Sequence, residues 1–272
     1  PSQSSKQSIT LKSNWEHQRG THLRIHGRRM VWDARHGGSC RPAGSISWRS
    51  SKRVVGIETL SCRGMIEPTI AETSDGRVAM VMRGSNSHDA EIPARKWISV
   101  SDDHGETWAD AKAWGCSDGS SFFSPSSMSL LTRHSSGRLF WVGHLTPENA
   151  SGNLPRYPAV IGELDPESRC LIRSSVVTLD EQSAEDRQKG RLDLSHFDPL
   201  EDRPSGDLIL TYPRSHQSYQ SREFAELRLK LSPNYTARAV RKPSQQFAPD
   251  SKGSPSGDPQ LFLGTLDRLI DQ

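Results

Sequence analysis

The octapeptide SDDHGETW, Ser101 to Trp108, packs two aspartates, a histidine and a glutamate around one glycine. These are the residue types of a metal site or of an acid/base pair. Their spacing argues against both, because a calcium loop of the EF-hand kind needs further acidic ligands and a distal glutamate that do not follow. A serine and an aspartate one residue apart are suited instead to hydrogen-bonding the backbone of their own turn. Glycine would then supply an unusual dihedral and tryptophan an anchor beneath the turn, with His104 and Glu106 solvated. His22 and His26 have the spacing of a helical zinc pair, yet THLRIHG alternates as a strand does, and neither a third ligand nor the glutamate of HExxH accompanies them. His196, Asp198, Glu201 and Asp202 form a polar loop that reads as solvated surface or as lining of a ligand face. No serine nucleophile elbow, phosphate-binding loop or dinucleotide fingerprint occurs, and no metal or cofactor is expected.

The elements that must position any site are short strands. The chain has 272 residues, of which 33% are hydrophobic, with 21 glycines and 17 prolines, a composition that favours turns over long amphipathic helices. Net charge is +3, and the basic run His22 to Gly38 is not interleaved with a repeated aromatic register, so nucleic acid is not an expected partner. Cys40, Cys62, Cys116 and Cys170 lie far apart with no CxxC pair; neither a zinc knuckle nor a redox motif is signalled, and disulfide pairing stays open. No apolar run approaches the length of a membrane-spanning helix, and no signal peptide is recognised. Asn149 and Asn234 sit in N-x-S/T sequons, which matter only in a secretory setting.

Three hairpins recur. Each is a β-prone segment, a turn ending in glycine (Gly76, Gly137, Gly206) and a second β-prone segment, the pattern in which glycine accepts a positive φ. Further strands are expected after each hairpin: Arg95 to Asp103, Tyr157 to Leu179, and Glu223 to Asn234, the last alternating with period two. Four strands per unit, repeated, point to an all-β fold of propeller blades with long loops. The expected organisation is a flexible N-terminus over 1–12, blades over 13–240 and a low-complexity linker and tail over 241–272. Residues 67 to 240 supply about three blades, with one more from His26 to Arg53. A closed propeller of six needs more chain, so a fragment or a reduced, open version is expected.

The spacing of Ser101, Asp103, Gly105, Thr107 and Trp108 matches S-x-D-x-G-x-T-W, the Asp-box, and with it the chain resembles the sialidase (neuraminidase) family of six-bladed, four-stranded antiparallel β-propellers with BNR repeats. The segment IEPTIAETSDGRVAMVMRGS, Ile66 to Ser85, is similar to that family's acidic residue, hairpin and arginine. The resemblance implies that Glu67 matches the glutamate that activates the nucleophilic tyrosine. It implies that Arg83 is one of three arginines holding the sugar carboxylate, a task for which the guanidinium fork is suited. Arg156 in NLPRYPAVIGELD is similar to a second such arginine and Arg24 to the first, which places Asp33 near the acid/base aspartate. The family's tyrosine has no counterpart: RLDLSHFDPLEDRPSGD carries Leu194 before Ser195, and Tyr212 and Tyr157 lie elsewhere. A tyrosine is used there because a neutral nucleophile avoids repulsion from the substrate carboxylate.

The function implied is a sialidase-like glycoside hydrolase acting on terminal sialic acid or a related acidic sugar. The alternative is a non-catalytic propeller that recognises a carboxylated glycan, and a third reading is a purely structural propeller. A sialylated or other acidic glycan is the expected partner, oligomeric state is open, and the resemblance favours a secreted or periplasmic setting. Fold alone does not certify activity.

Overall fold

The computed structural model describes residues 50–57, 59–216 and 223–231 in full, and the backbone of the short strands at 22–23, 26–28, 48–49, 222, 237–241 and 245–247. Arg24, Asp33, Cys40 and Asn234 lie outside the described residues. Near the N-terminus β1 (His22–Leu23) pairs with β4 (Val54–Val55), and β2 (His26–Arg28) with β3 (Trp48–Ser50). These are two-stranded pairs where a further four-stranded blade was expected.

The rest is three antiparallel sheets in sequence order. The first runs β5 (Ile66–Glu72), β6 (Val78–Arg83), β7 (Lys96–Ser101) and β8 (Lys112–Ala113). The second runs β9 (Leu130–Arg133), β10 (Leu139–His144), β11 (Ala159–Glu163) and β12 (Val177–Asp180). In the third, β13 (Leu192–Leu194) and β14 (Asp198–Asp202) both pair with β15 (Asp207–His216), which pairs with β16 (Arg222–Leu231), and β16 with β17 (Ala237–Arg241) and β18 (Gln245–Phe247). Strands β17 and β18 bring Arg241 and Gln245 to Phe247, from the segment read as linker, onto this sheet. The fold is all-β, with the strand order of propeller blades. The helical exceptions among the described residues are the 3-10 turn Arg173–Ser175 and one short helix, α1 (Ala184–Gln188), capped at both Ser183 and Asp186 in a reciprocal capping box. The sequence reading did not anticipate α1. No helix among the described residues is long and apolar enough to cross a membrane.

The three hairpin turns form where glycine stands at positive φ: Gly76 at 81°, Gly137 at 86° and Gly206 at 70°. The turn between β7 and β8 is built by its own side chains. Asp103 accepts hydrogen bonds from the Thr107 backbone amide at 2.8 Å and from the Ser101 hydroxyl at 2.7 Å, and Ser101 Oγ accepts from the Gly105 amide at 2.8 Å. His104 at φ 58° and Gly105 at 90° make the reversal, and Trp108 packs with Met65, Met80, Met82 and Trp97.

Alternation along the strands divides the apolar side chains between two sides of each sheet. On β10, Leu139 and Trp141 face a core shared with Ala79, Val81 and Ile98 of the first sheet, whereas Phe140 and Val142 face a core shared with Leu194, Leu208 and Leu210 of the third. On β6 the same rule sends Ala79 and Val81 one way and Met80 and Met82 the other. The first seam centres on Trp141, fully buried edge-to-face with Trp114 at 5.3 Å and tilted against Phe122 at 6.2 Å. Cys116 lies in this seam, and Cys62, Cys116 and Cys170 are free thiols.

Two predictions follow from these contacts. A Cβ on Gly143 would stand 2.2 Å from Trp141 Cζ2, and the indole is clamped by Trp114 and Phe122, so Gly143→Ala should cost about 1–3 kcal/mol in urea unfolding. Asp103 is held down from 3.8 to about 2, chiefly by Thr107 and then by Ser101. A carboxyl lowered on folding stabilises above its unfolded value and loses that effect as pH falls through its folded value. The thermal midpoint of Asp103→Ala should therefore lie a few degrees below wild type at neutral pH, the difference vanishing towards about pH 2.

Candidate functional site

Because neighbouring strands are antiparallel, the start of β5, the end of β6 and the start of β7 meet at one end of the first sheet, with Ile66 opposite Arg83 and Arg83 opposite Lys96. The pairing of β5 slips between Ile66 and Thr69, and Glu67 sits in the bulge at φ 50°. A side chain other than glycine in this left-handed region, and before a proline, is strained by about 1–2 kcal/mol. The bulge turns Glu67 onto Arg83: Oε1 accepts from Nη1 at 2.7 Å, and Arg83 Nε donates to Ser126 Oγ at 2.8 Å. The Arg83 side chain is 9% exposed and that of Glu67 29%, so the pair is set into the surface. Glu67 Oε2 is buried without a hydrogen-bond partner.

Behind this pair lies Lys96, fully buried. Its ammonium donates to the carbonyls of Pro125 at 2.9 Å and Ser127 at 2.5 Å. Burial, then the charge of Arg83, pull Lys96 down from 10.5 to about 7, with Glu67 acting the other way and Arg156 in the same direction. Ser127 Oγ is 2.9 Å from Nδ1 of His144, the last residue of β10 and fully buried. Burial, and next the charge of Lys96, hold His144 down to about 3, against the backbone of Leu194 and Arg156, which favours the proton. The ring is neutral; its Nδ1 meets the Ser127 hydroxyl, and its Nε2 is buried without a hydrogen-bond partner.

Arg156 stands in the strand-like segment before β11, bridged to Asp193 of the third sheet, and its carbonyl accepts from the Leu194 amide at 3.2 Å. Its Nε is buried without a partner. Its charge acts on both Lys96 and His144, so Glu67, Arg83 and Arg156, named from the sequence, belong to one cluster. Lys96, Ser126, Ser127 and His144 were missed. A lysine or histidine at a strand end carries no signal of burial in one sequence, and the two serines look like any loop.

Leu194 is fully buried in the core between the second and third sheets. The phenol of Tyr212 is also buried, donating to Asp180 at 2.7 Å, and Tyr157 packs against the same core. The inner edge of the third sheet breaks after Leu194, where His196 turns at φ 55° with its Nδ1 2.7 Å from Ser195 Oγ. The acids of that loop serve neighbouring turns: Glu201 accepts from the Ser135 amide at 2.8 Å, and Asp202 from Arg228 at 2.7 Å. A second buried ionic cluster ties α1 to β15: Arg214 donates to Asp180 and, at 2.7 Å, to Asp186, which also lies 3.0 Å from His216. Burial works against the charge of Asp186, but Ser183, His216 and Arg214 hold its carboxyl well below the usual range.

A cavity of about 240 Å³ lies at the opposite end of the sheets, among the turns that carry Thr73, Gly137 and Asp165. Its two arginines are already engaged, Arg138 with Glu163 at 2.6 Å and Arg169 with Asp75. It lies at the far end of the strands from Glu67 and Arg83. No group of three or more histidine, cysteine or acidic side chains arranged to hold a metal occurs among the described residues.

No protein-family model matches the chain, and no curated protein does. Among solved structures it is similar to the α-L-arabinanase of Penicillium chrysogenum complexed with arabinobiose, at 13% identity and TM-score 0.44, over 70% of this chain and 50% of that one. It is similar to the NanB sialidase of Streptococcus pneumoniae at 16% identity and TM-score 0.42, over 63% of this chain and 23% of that one. It is also similar to a polysaccharide lyase, the PL25 ulvan lyase, at 10% identity and TM-score 0.45, over 75% and 47%. The chain spans half or less of the length of each of these structures.

The state of His144 has a measurable consequence. A histidine whose value falls from 6.5 to about 3 on folding leaves the unfolded chain binding the extra proton between those limits, so stability falls as pH falls through this window. Ring carbon NMR signals of His144, assigned by their loss in His144→Gln, should not titrate between about pH 5 and 8. A midpoint near 6.5 would place the ring in contact with solvent.

Proposed function

We propose that the protein recognises a carboxylated glycan through the cluster around Arg83, with a terminal sialic acid or related acidic sugar as ligand. The observation that carries this reading is the state of Arg83: a buried guanidinium, oriented by Glu67 and Ser126, whose charge acts on Lys96 together with that of Arg156, whose Nε is buried without a partner. Two guanidinium groups and the Lys96 ammonium act together with one carboxylate, a local excess of positive charge that would attract an anion.

Hydrolysis is the second reading. The strained backbone of Glu67, at φ 50°, favours it, since strain of this kind gathers at working sites. Against it stands the burial of Leu194 in the core and of Tyr212 on Asp180, which leaves neither position a tyrosine nucleophile exposed to substrate. The geometry therefore supports recognition better than the tyrosine-dependent mechanism that the family resemblance implies.

Calorimetric titration with N-acetylneuraminic acid and with galacturonic acid, alongside turnover of a fluorogenic sialoside, tests both readings. Binding of at least one acid is expected, weakened about tenfold or more by Arg83→Ala, with no turnover. Binding that survives Arg83→Ala would remove the proposed site. Turnover abolished by Glu67→Gln would establish the hydrolase instead.

A further inference from the structure

Lys96 has a place in the cluster that neither the sequence pattern nor the family resemblance assigns. It lies opposite Arg83 in the β6–β7 register and is fully buried, and its Nζ is wedged between the carbonyls on either side of Ser126. The hydroxyl of that same Ser126 receives Arg83 Nε, and the next hydroxyl, on Ser127, meets His144. One ammonium thereby fixes the loop that orients the arginine.

We propose that Lys96 is the floor of the anion site, a positioning residue that holds Ser126 on Arg83 and whose proton sets how strongly the site attracts a carboxylate. This inference rests on the reading of the Arg83 cluster as an anion site and adds its regulation. The charged and titratable groups that act on Lys96 come from each element around it. Arg83 lies on β6, Glu67 on β5, Arg156 precedes β11, and the neutral ring of His144 ends β10. Guanidinium groups do not titrate near neutrality, and His144 is already neutral there.

That leaves Lys96 as the cation that changes. Burial and then Arg83 lower it to about 7. The ammonium is present below that value and lost as pH rises through it. A neutral amine keeps two hydrogens and can still donate to both carbonyls, so the loop stays in place while the potential at the site drops. Affinity for a carboxylate falls with rising pH for an electrostatic and not a conformational reason.

Two measurements test this. In calorimetric titrations with N-acetylneuraminic acid and with galacturonic acid, the wild type should bind about three- to tenfold more tightly near pH 6 than near pH 8.5. Lys96→Met, similar in length and without charge, should bind weakly with no dependence on pH over that range. Wild-type affinity that is flat across the range, or an unchanged slope in Lys96→Met, overturns the role of Lys96 and leaves the anion site standing. Absence of binding of either acid at both pH values overturns the anion site itself. The second measurement needs neither ligand nor a folded variant at that position. In protein carrying lysine labelled at carbon ε, one NMR signal should titrate near neutrality, and Glu67→Gln should move its midpoint down, because Glu67 favours the ammonium. If every lysine signal titrates near 10.5, the inference fails.

Discussion

The packing of β10 between two cores is the constraint on which the rest of the molecule depends. Leu139 and Trp141 point to the first sheet, Phe140 and Val142 to the third. A sheet with apolar side chains on both faces must be covered on both. Trp141 decides how closely the sheets approach, because its indole lies against Trp114 and over Gly143, where there is no space for a methyl group. The first and third sheets thus stand on either side of the second, with their polar strand ends gathered at the edges of the apolar seams.

The Glu67–Arg83 cluster is a product of that gathering. Arg83 comes from the first sheet, Ser126 and Ser127 from the loop that leads into the second, His144 from the second itself, and the backbone at Asp193 and Leu194 from the third. Ionisable groups are expensive to bury, and here each has a specific compensation. Glu67 lies on Arg83, two carbonyls lie on Lys96, and His144 stays neutral. The Arg214, Asp180 and Asp186 cluster answers the same problem in the third sheet, where α1 brings a carboxylate over the end of β15. Each cluster keeps buried polar atoms without partners, Arg214 Nε and His216 Nδ1 in this one and Glu67 Oε2 and Arg156 Nε in the other. What sets the Glu67 cluster apart is its access to solvent: the Glu67 side chain is 29% exposed, whereas those of Arg214, Asp180 and Asp186 are closed off.

Much of the local architecture was legible in the sequence because it depends on local physics. The hairpins announced themselves through glycines that alone take positive φ without strain, at Gly76, Gly137 and Gly206. The alternation in REFAELRLKL reports the two faces of β16, with Ala225, Leu227 and Leu229 inward. In SDDHGETW the hydrogen bonds run between residues at most four positions apart, so spacing alone exposes them. The splitting of the third sheet's inner edge at Ser195 to Phe197 had no such signal. The departure of Leu194 from a tyrosine was visible, but its burial was not.

What the sequence by itself determined is therefore the all-β class, the turns and the pairing of neighbouring strands, since these follow from dihedral preference, two-residue periodicity and contacts within a few positions. It also put Glu67 and Arg83 on one hairpin. Only the tertiary structure decided that Lys96 and His144 are buried, that Ser126 closes on Arg83, and that Arg156 acts on the same group of charges. The physical reason is that desolvation and charge coupling are properties of a position in space. Ser126 and Arg83, 43 residues apart in the chain, acquire their relation only when the loop leading into the second sheet folds back onto the end of the first.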